Sequence, residues 1–245
     1  MGLLDTWTLG DHRASGVRHP TYRKGAGPGV IVIHEIPGLT PSVIGFGEEL
    51  VGAGYTVVMP HLFGQPEKGM SPLSVASSLR QVCVSREFNV IATRQTSPVA
   101  GWLRSLAREL HAELGGPGVG ALGMCFTGGF ALAMMVDDAV AAPVLAQPST
   151  PFPLSPGRAR DLNLSDVDLA TVKARAAGGC EVLGLRYRKD PAVGKRFERL
   201  TEEIGDKFIR VELEGRGHST VTEHRQQVAV DAVLEFFAEK LSSPS

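Results

Sequence analysis

Cysteine is scarce in this chain of 245 residues: Cys83, Cys125 and Cys180 are the only three. Three thiols build no disulfide framework, and the absence of any C-x-x-C spacing removes the usual zinc and thioredoxin readings. A reducing, cytoplasmic setting is the expectation. Charge of one sign is missing as well, since 25 Lys and Arg face 26 Asp and Glu for a formal net charge of −1. That balance gives no electrostatic footprint for nucleic acid or an anionic membrane surface, so neither is an expected partner. No apolar run approaches the ~18 residues of a membrane helix, and the N-terminus lacks the basic-then-apolar order of a secretory signal. No unit of about 20 to 50 residues recurs, which argues against a repeat architecture. Finally, no G-x-S-x-G occurs anywhere, which excludes a serine on a strand-to-helix elbow.

What the chain does have is size, apolar content and alternation. With 43% hydrophobic and 21% charged residues, 245 residues suffice for one large α/β domain spanning residues 1–245. Val30-Ile31-Val32-Ile33-His34 and Thr56-Val57-Val58-Met59-Pro60 are continuous β-branched runs, the pattern of parallel strands buried on both faces. Further strands are expected at Gly118 to Met124, Ala141 to Ala146, Cys180 to Tyr187 and Phe208 to Leu213. Helical spacing fills Ser42 to Ala53, Val99 to Leu114, Phe126 to Val136, Asp166 to Ala177 and Ala192 to Ile204. A last helix, with Val230, Val233, Leu234, Phe237 and Leu241 on one stripe, is expected to open on a capping box at Thr220-Val221-Thr222-Glu223. The fold class is therefore α/β, a mostly parallel sheet with helices on both faces. Leu62 to Pro98 and the proline-rich Gln147 to Asp161 break the alternation; both follow strands, where excursions shape the ligand crevice of such sheets.

Cys125 lies between the strand ending at Met124 and the following helix, at the tip of a strand-to-helix turn. A side chain there is pushed out of the sheet, and the helix N-terminus beneath it favours negative charge. A free cysteine is ordinarily an inert small hydrophobe, but two later residues raise the standing of this one. Asp190 falls just past the strand Cys180 to Tyr187, and His218 falls in the loop after Phe208 to Leu213. The order nucleophile, acid, histidine is that of the α/β-hydrolase triad.

Competing motifs fail on context. Gly118-Val119-Gly120-Ala121-Leu122-Gly123 spells G-x-G-x-x-G, but these glycines begin a strand instead of following one, and the next acids, Asp137 and Asp138, sit at a helix end. His34-Glu35 begins an H-E-x-x-H zinc motif whose second histidine is Gly38, so neither metal nor cofactor is expected. The loop Glu35-Ile36-Pro37-Gly38 instead suits an oxyanion hole, with one N–H from this loop and a second from Phe126. Among the other histidines, His12 and His19 are expected to be solvated in a polar N-terminal segment, as is His111 in an amphipathic helix. His61 follows a strand and is a candidate pocket-lining residue. His224 falls in the first turn of the last helix, so His218 is the better base.

With these residues placed, the chain resembles the dienelactone hydrolase family of the α/β-hydrolase fold, from about Val30 to Leu241. The likeness rests on His34-Glu35-Ile36-Pro37-Gly38, Gly123-Met124-Cys125, Arg188-Lys189-Asp190 and Gly217-His218-Ser219. It implies Cys125 as nucleophile, His218 as base, Asp190 as its orienting acid, and the Ile36 and Phe126 N–H groups as oxyanion donors. It also implies that Glu35 pairs with the resting thiol and helps form the thiolate, the species that attacks. Two departures stand out. Thr127 occupies the position where the family has glycine, two residues after the nucleophile. Thr222 occupies the position of one of two arginines that bind the substrate carboxylate, with Arg225 nearby and Arg86 a candidate for the other. The expected activity is hydrolysis of a lactone or activated carboxylic ester through an acyl-thioester. The same residues would serve acyl transfer to an acceptor other than water, and a non-catalytic binding protein could use the same scaffold. The sequence sets no oligomeric state.

Overall fold

The computed structural model describes residues 2–85, 87–88 and 93–242. One eight-stranded sheet runs through it in the order β1-β2-β4-β3-β5-β6-β7-β8. Its strands are β1 (Thr8–Ala14), β2 (Val17–Lys24), β3 (Gly29–Ile33), β4 (Thr56–Pro60), β5 (Val119–Met124), β6 (Val140–Ala146), β7 (Val182–Tyr187) and β8 (Phe208–Leu213). From β4 to β8 all neighbours are parallel, while β1 and β2 form an antiparallel hairpin that pairs with β4. The helices are α1 (Pro41–Gly52), α2 (Pro72–Val84), α3 (Val99–Leu114), α4 (Gly128–Met134), α5 (Pro156–Arg160), α6 (Asp166–Ala177), α7 (Arg196–Ile204) and α8 (Gln227–Leu241).

Helices cover both faces, as the uninterrupted apolar strands require. One core layer gathers α1 and α8 with Trp7, Phe46 and Phe237. The opposite layer gathers α3, α4 and α7 with Trp102, Phe126, Phe130 and Phe197. Every residue of β3, β4, β5 and β7 is buried. Glycines in β5 let the layers close on the sheet: a Cβ on Gly120 would stand 2.8 Å from the Phe237 ring.

Three expectations need correction. The N-terminal segment is a hairpin, with His12 and His19 directly opposite each other. His12 is buried, and both rings stand edge-on to Trp102 at centroid separations of 5.1 Å. The polar sequence conceals this because an edge hairpin buries only part of one face. The last helix begins at Gln227, not at the capping-box sequence. Thr220 to His224 form turns, so His224 precedes the helix, and the two threonine hydroxyls are used elsewhere. The helices expected from Phe126 and Ala192 begin later, at Gly128 after a 3₁₀ turn over Cys125–Thr127 and at Arg196.

That 3₁₀ turn carries the cysteine at φ 52°. A Cβ on Gly123 would stand 2.2 Å from the Thr127 carbonyl oxygen, and one on Gly128 would stand 2.6 Å from Pro148 Cα. Because the obstructing atoms are backbone, neither position can yield by a rotamer change. Gly123→Ala should therefore lower stability by about 2 kcal/mol or more. Gly45→Ala, on an exposed turn of α1 with open space around it, should raise it by about 0.5 to 1 kcal/mol through helix propensity. Urea unfolding of both variants measures the contrast, and equal midpoints would refute this account of the elbow.

Candidate active site

The carboxyl ends of four parallel strands converge on one place. β3 leads into Glu35 and Ile36, β5 into Cys125 and Phe126, β7 into Asp190, and β8 into His218. Cys125 is half-buried and free of any disulfide. Its left-handed backbone costs about 1 to 2 kcal/mol for a residue with a Cβ, and the neighbours hold it there. The Ser149 N–H donates to the Cys125 carbonyl at 3.0 Å, and the Thr150 hydroxyl donates to the Phe126 carbonyl at 2.7 Å. Thr127, standing where the resemblance expects glycine, bonds through its hydroxyl to the Ile33 carbonyl at 2.9 Å and accepts the Met124 N–H at 3.1 Å. The end of β3 is thereby tied to the elbow. The Phe126 side chain is fully buried against Phe63, Phe88 and Phe130 at 5.6 to 5.8 Å.

Asp190 and His218 meet as expected. The Asp190 carboxylate lies 2.6 Å from His218 Nδ1 and also accepts the Ala192 N–H at 3.0 Å. Nδ1 is therefore the protonated nitrogen, which leaves Nε2 for Cys125. Burial pulls the His218 pKa down. The Asp190 hydrogen bond, the bond to Cys125 and the negative charge on both outweigh it and push the value up to about 11. His218 also uses its backbone: its N–H donates to His224 Nδ1 at 3.3 Å.

Glu35 completes the cluster. It is buried, and its two oxygens accept hydrogen bonds from Ser219, at 2.7 Å, and from Thr222. The donor atoms of Glu35, Cys125 and His218 all lie within 4.8 Å of one another. Burial pushes the Glu35 pKa up, and the hydroxyls of Thr222 and Ser219, with the nearby His218, only partly counter it. Beneath this cluster His34 is a strut. Its Nδ1–H donates to the Glu35 carbonyl at 3.1 Å and its Nε2 accepts the Leu62 N–H at 3.0 Å. Complete burial holds it neutral, with a pKa lowered to about 3.

His61 and Arg225 make other bonds. The His61 ring lies 6.2 Å from that of His34 and bonds to the Gly64 carbonyl at 3.2 Å, fixing the loop after β4. Arg225 pairs with Glu49 on α1 at 2.7 Å. Arg86 lies outside the described residues. Sequence reasoning missed Ser149, whose buried hydroxyl lies 3.4 Å from Cys125 Sγ. It also missed Gln147, which accepts both the N–H and the hydroxyl of Thr220 at 3.1 and 2.7 Å. Their position in the excursion after β6 was the one available signal.

A family model described as the dienelactone hydrolase family matches residues 17–241. The chain belongs to the dienelactone hydrolase family. Among curated proteins nothing matches. Among solved structures, a dienelactone hydrolase-like promiscuous phosphotriesterase from metagenomic libraries aligns with a TM-score of 0.69 at 16% identity, covering 97% of this chain and 99% of the other. A dienelactone hydrolase from Anabaena variabilis gives 0.67 at 17%, covering 96% and 98%. A cold-adapted esterase from an Arctic intertidal metagenomic library gives 0.59 at 12%, covering 96% and 93%. These likenesses establish the α/β-hydrolase architecture for this member of the family. No described helix is long and apolar enough to cross a membrane.

The His218 pairing makes a statement about stability. A histidine whose pKa rises from an ordinary 6.5 to about 11 on folding stabilises fully below pH about 6.5 and loses that contribution as pH rises toward 11. The unfolding free energy of wild type minus that of His218→Gln should therefore be largest near pH 6 and shrink steadily between pH 7 and 10. A difference that stays constant or grows over that range would overturn the assignment.

Proposed function

We propose that this chain is a cysteine hydrolase that opens lactones or cleaves activated carboxylic esters through an acyl-thioester on Cys125. One observation carries the reading: Cys125, His218 and Asp190, far apart in sequence, follow the carboxyl ends of β5, β8 and β7 in one sheet, with Asp190 bonded to the histidine at 2.6 Å. Family membership supplies the hydrolase class.

For attack the thiol proton passes to His218, whose affinity for it is raised by Asp190 and Cys125 against the effect of burial. The sulfur attacks the acyl carbon, and the N–H groups of Ile36 and Phe126 receive the oxyanion, an interaction worth roughly 10²- to 10³-fold in rate per donor. Collapse of the adduct expels the alkoxide, which takes the Nε2 proton. Once the sulfur is acylated it carries no charge, so His218 loses one of the influences that raised its pKa. It then becomes a competent base for water, and hydrolysis of the thioester returns the proton to the pair. Asp190 keeps the ring in the required tautomer throughout.

The surroundings argue for uncharged substrates. At the position where the resemblance expects a carboxylate-binding arginine, Thr222 supplies a neutral hydroxyl and spends it on Glu35. Lactones and esters without a free carboxylate should therefore outperform dienelactone. A soluble, cytoplasmic setting with a small-molecule substrate is part of this proposal.

Hydrolysis of a short-chain nitrophenyl ester tests it. Cys125→Ala should reduce kcat/KM to background, and Asp190→Asn should lower kcat by about 10²- to 10⁴-fold with the fold intact. His218→Ala should trap an acylated protein visible by intact mass. Full activity in Cys125→Ala would sink the proposal. Product analysis with an added amine or alcohol acceptor distinguishes hydrolysis from acyl transfer.

A further inference from the structure

Glu35, Cys125 and His218 are the one group of three or more carboxylate, thiol and imidazole side chains with metal-ligand spacing among the described residues. They offer one oxygen, one sulfur and one nitrogen. Each comes from a different strand end, after β3, β5 and β8. We propose that these three side chains form a binding site for Zn²⁺, which on occupying it shuts the thiol down.

The donor set selects the ion. A thiolate with an imidazole suits zinc and disfavours magnesium and calcium, which seek oxygen alone. Tetrahedral zinc holds sulfur at about 2.3 Å, nitrogen at about 2.0 to 2.1 Å and carboxylate oxygen at about 2.0 to 2.2 Å. Those lengths place the donors roughly 3.3 to 3.6 Å apart. The donors here already lie within 4.8 Å of one another, so no pair needs to close by more than about 1.5 Å.

The groups behind the donors strengthen the assignment. A zinc-bound histidine ordinarily donates its other ring N–H to a carboxylate, which fixes the tautomer and makes the ligand more basic. His218 does so already, through Nδ1 to Asp190 at 2.6 Å. Glu35 is buried, and each oxygen takes one hydroxyl bond, from Ser219 or Thr222. A second lone pair remains on each oxygen, aimed by a side chain with no cationic partner among its hydrogen bonds. Three protein ligands leave a fourth position for water.

Binding is a ligand exchange without redox change. Zinc forms bonds to Cys125 Sγ, His218 Nε2 and one Glu35 oxygen, shedding all but one of the waters of its hydration shell, and the Nε2 proton departs to solvent. The sulfur lone pair that would attack an acyl carbon is then committed to the metal. Binding stands on the cluster alone, whereas the loss of esterase activity rests on the proposed function, so the test reads the two separately.

Metal-free protein titrated with Zn²⁺ alone, against a chromogenic chelator, should show one site with a Kd in the micromolar range or below. Co²⁺ in its place should give a thiolate-to-cobalt charge-transfer band that vanishes in Cys125→Ser. Glu35→Gln and Asp190→Asn should each weaken binding by about 10- to 100-fold, the first as a lost ligand and the second through the histidine. Zinc should also protect Cys125, but not the exposed Cys83, from iodoacetamide. Binding weaker than about 0.1 mM, or unchanged by Cys125→Ser, would overturn the site. Tight binding without loss of esterase activity would overturn the inhibition. A protein that binds zinc as expected but hydrolyses no ester would leave the site standing and remove the proposed function.

Discussion

The left-handed backbone of Cys125 is the constraint on which the rest of the site depends. A cysteine at φ 52° turns the chain sharply at the end of β5, so the sulfur leaves the sheet while the following residue is driven into the core. Phe126 shows the consequence: its ring is fully buried among three other phenylalanines, although its N–H belongs to the next peptide beside the nucleophile. Only bonds from several directions sustain such a conformation. Thr127 reaches back to β3, and Ser149 and Thr150 reach across from the end of β6. Gly123 and Gly128 remove the Cβ atoms that would collide with backbone. The departure from the family pattern at Thr127 is thus a different solution to the same geometry, in which a hydroxyl replaces empty space and the next residue supplies the glycine.

A second layer of organisation holds the excursion after β6 against the loop that bears Asp190. Arg196 is buried at the start of α7 and bonds to backbone carbonyls only. It donates to Asp161 at 2.9 Å, to Arg158 at 3.0 Å, to Ala192 at 3.2 Å and to Val193 at 2.8 Å, and also to Pro151. Burial lowers its pKa to about 10, with the Asp161 charge opposing the shift, so it stays protonated at neutral pH. Five carbonyl dipoles therefore solvate a cation that water cannot reach, and the residues they belong to are fixed relative to one another. Ala192 and Val193 lie two and three residues after Asp190, while Pro151 follows Ser149 and Thr150. One guanidinium thus links the loop that bears Asp190 to the segment that holds the Cys125 backbone.

The parts of this arrangement that were legible in the sequence are those carried by continuous apolar runs. β3, β4, β5 and β7 are buried throughout and β6 nearly so, so their β-branched and small residues appear without interruption, while β8 keeps only its end residues buried; Cys125, Asp190 and His218 follow from where these strands end. The β1–β2 hairpin lies at the sheet edge and exposes most of its residues. Its burial of His12 against Trp102 comes from tertiary packing that no local pattern encodes. The supposed capping box failed for an instructive reason. Thr220 and Thr222 do supply hydroxyl groups, but to Gln147 and Glu35 instead of to a helix N-terminus. Local sequence shows that a hydroxyl is present, whereas the fold decides what it bonds. Ser149 was invisible for the same reason, since nothing before the fold brings it to the sulfur.

Glu35 is where these strands of argument meet. It is fully buried beside an imidazole and a thiol, and it rests on two hydroxyls where a neighbouring arginine would have fixed its charge. Neutral donors stabilise a carboxylate less than a guanidinium does, and burial works against it, so the carboxyl rests chiefly on the Thr222 and Ser219 hydroxyls, with a smaller contribution from the charge on His218. The ionisation of the two is therefore coupled. When His218 gives up its proton, the carboxylate faces a neutral ring and loses that support. When a cation enters, the same carboxylate becomes a ligand. An arginine at position 222 would have damped both responses by holding Glu35 anionic in every state. With Thr222 there, the buried carboxyl has neutral hydroxyl donors alone, and the proposed preference for neutral esters and the proposed zinc site both rest on that.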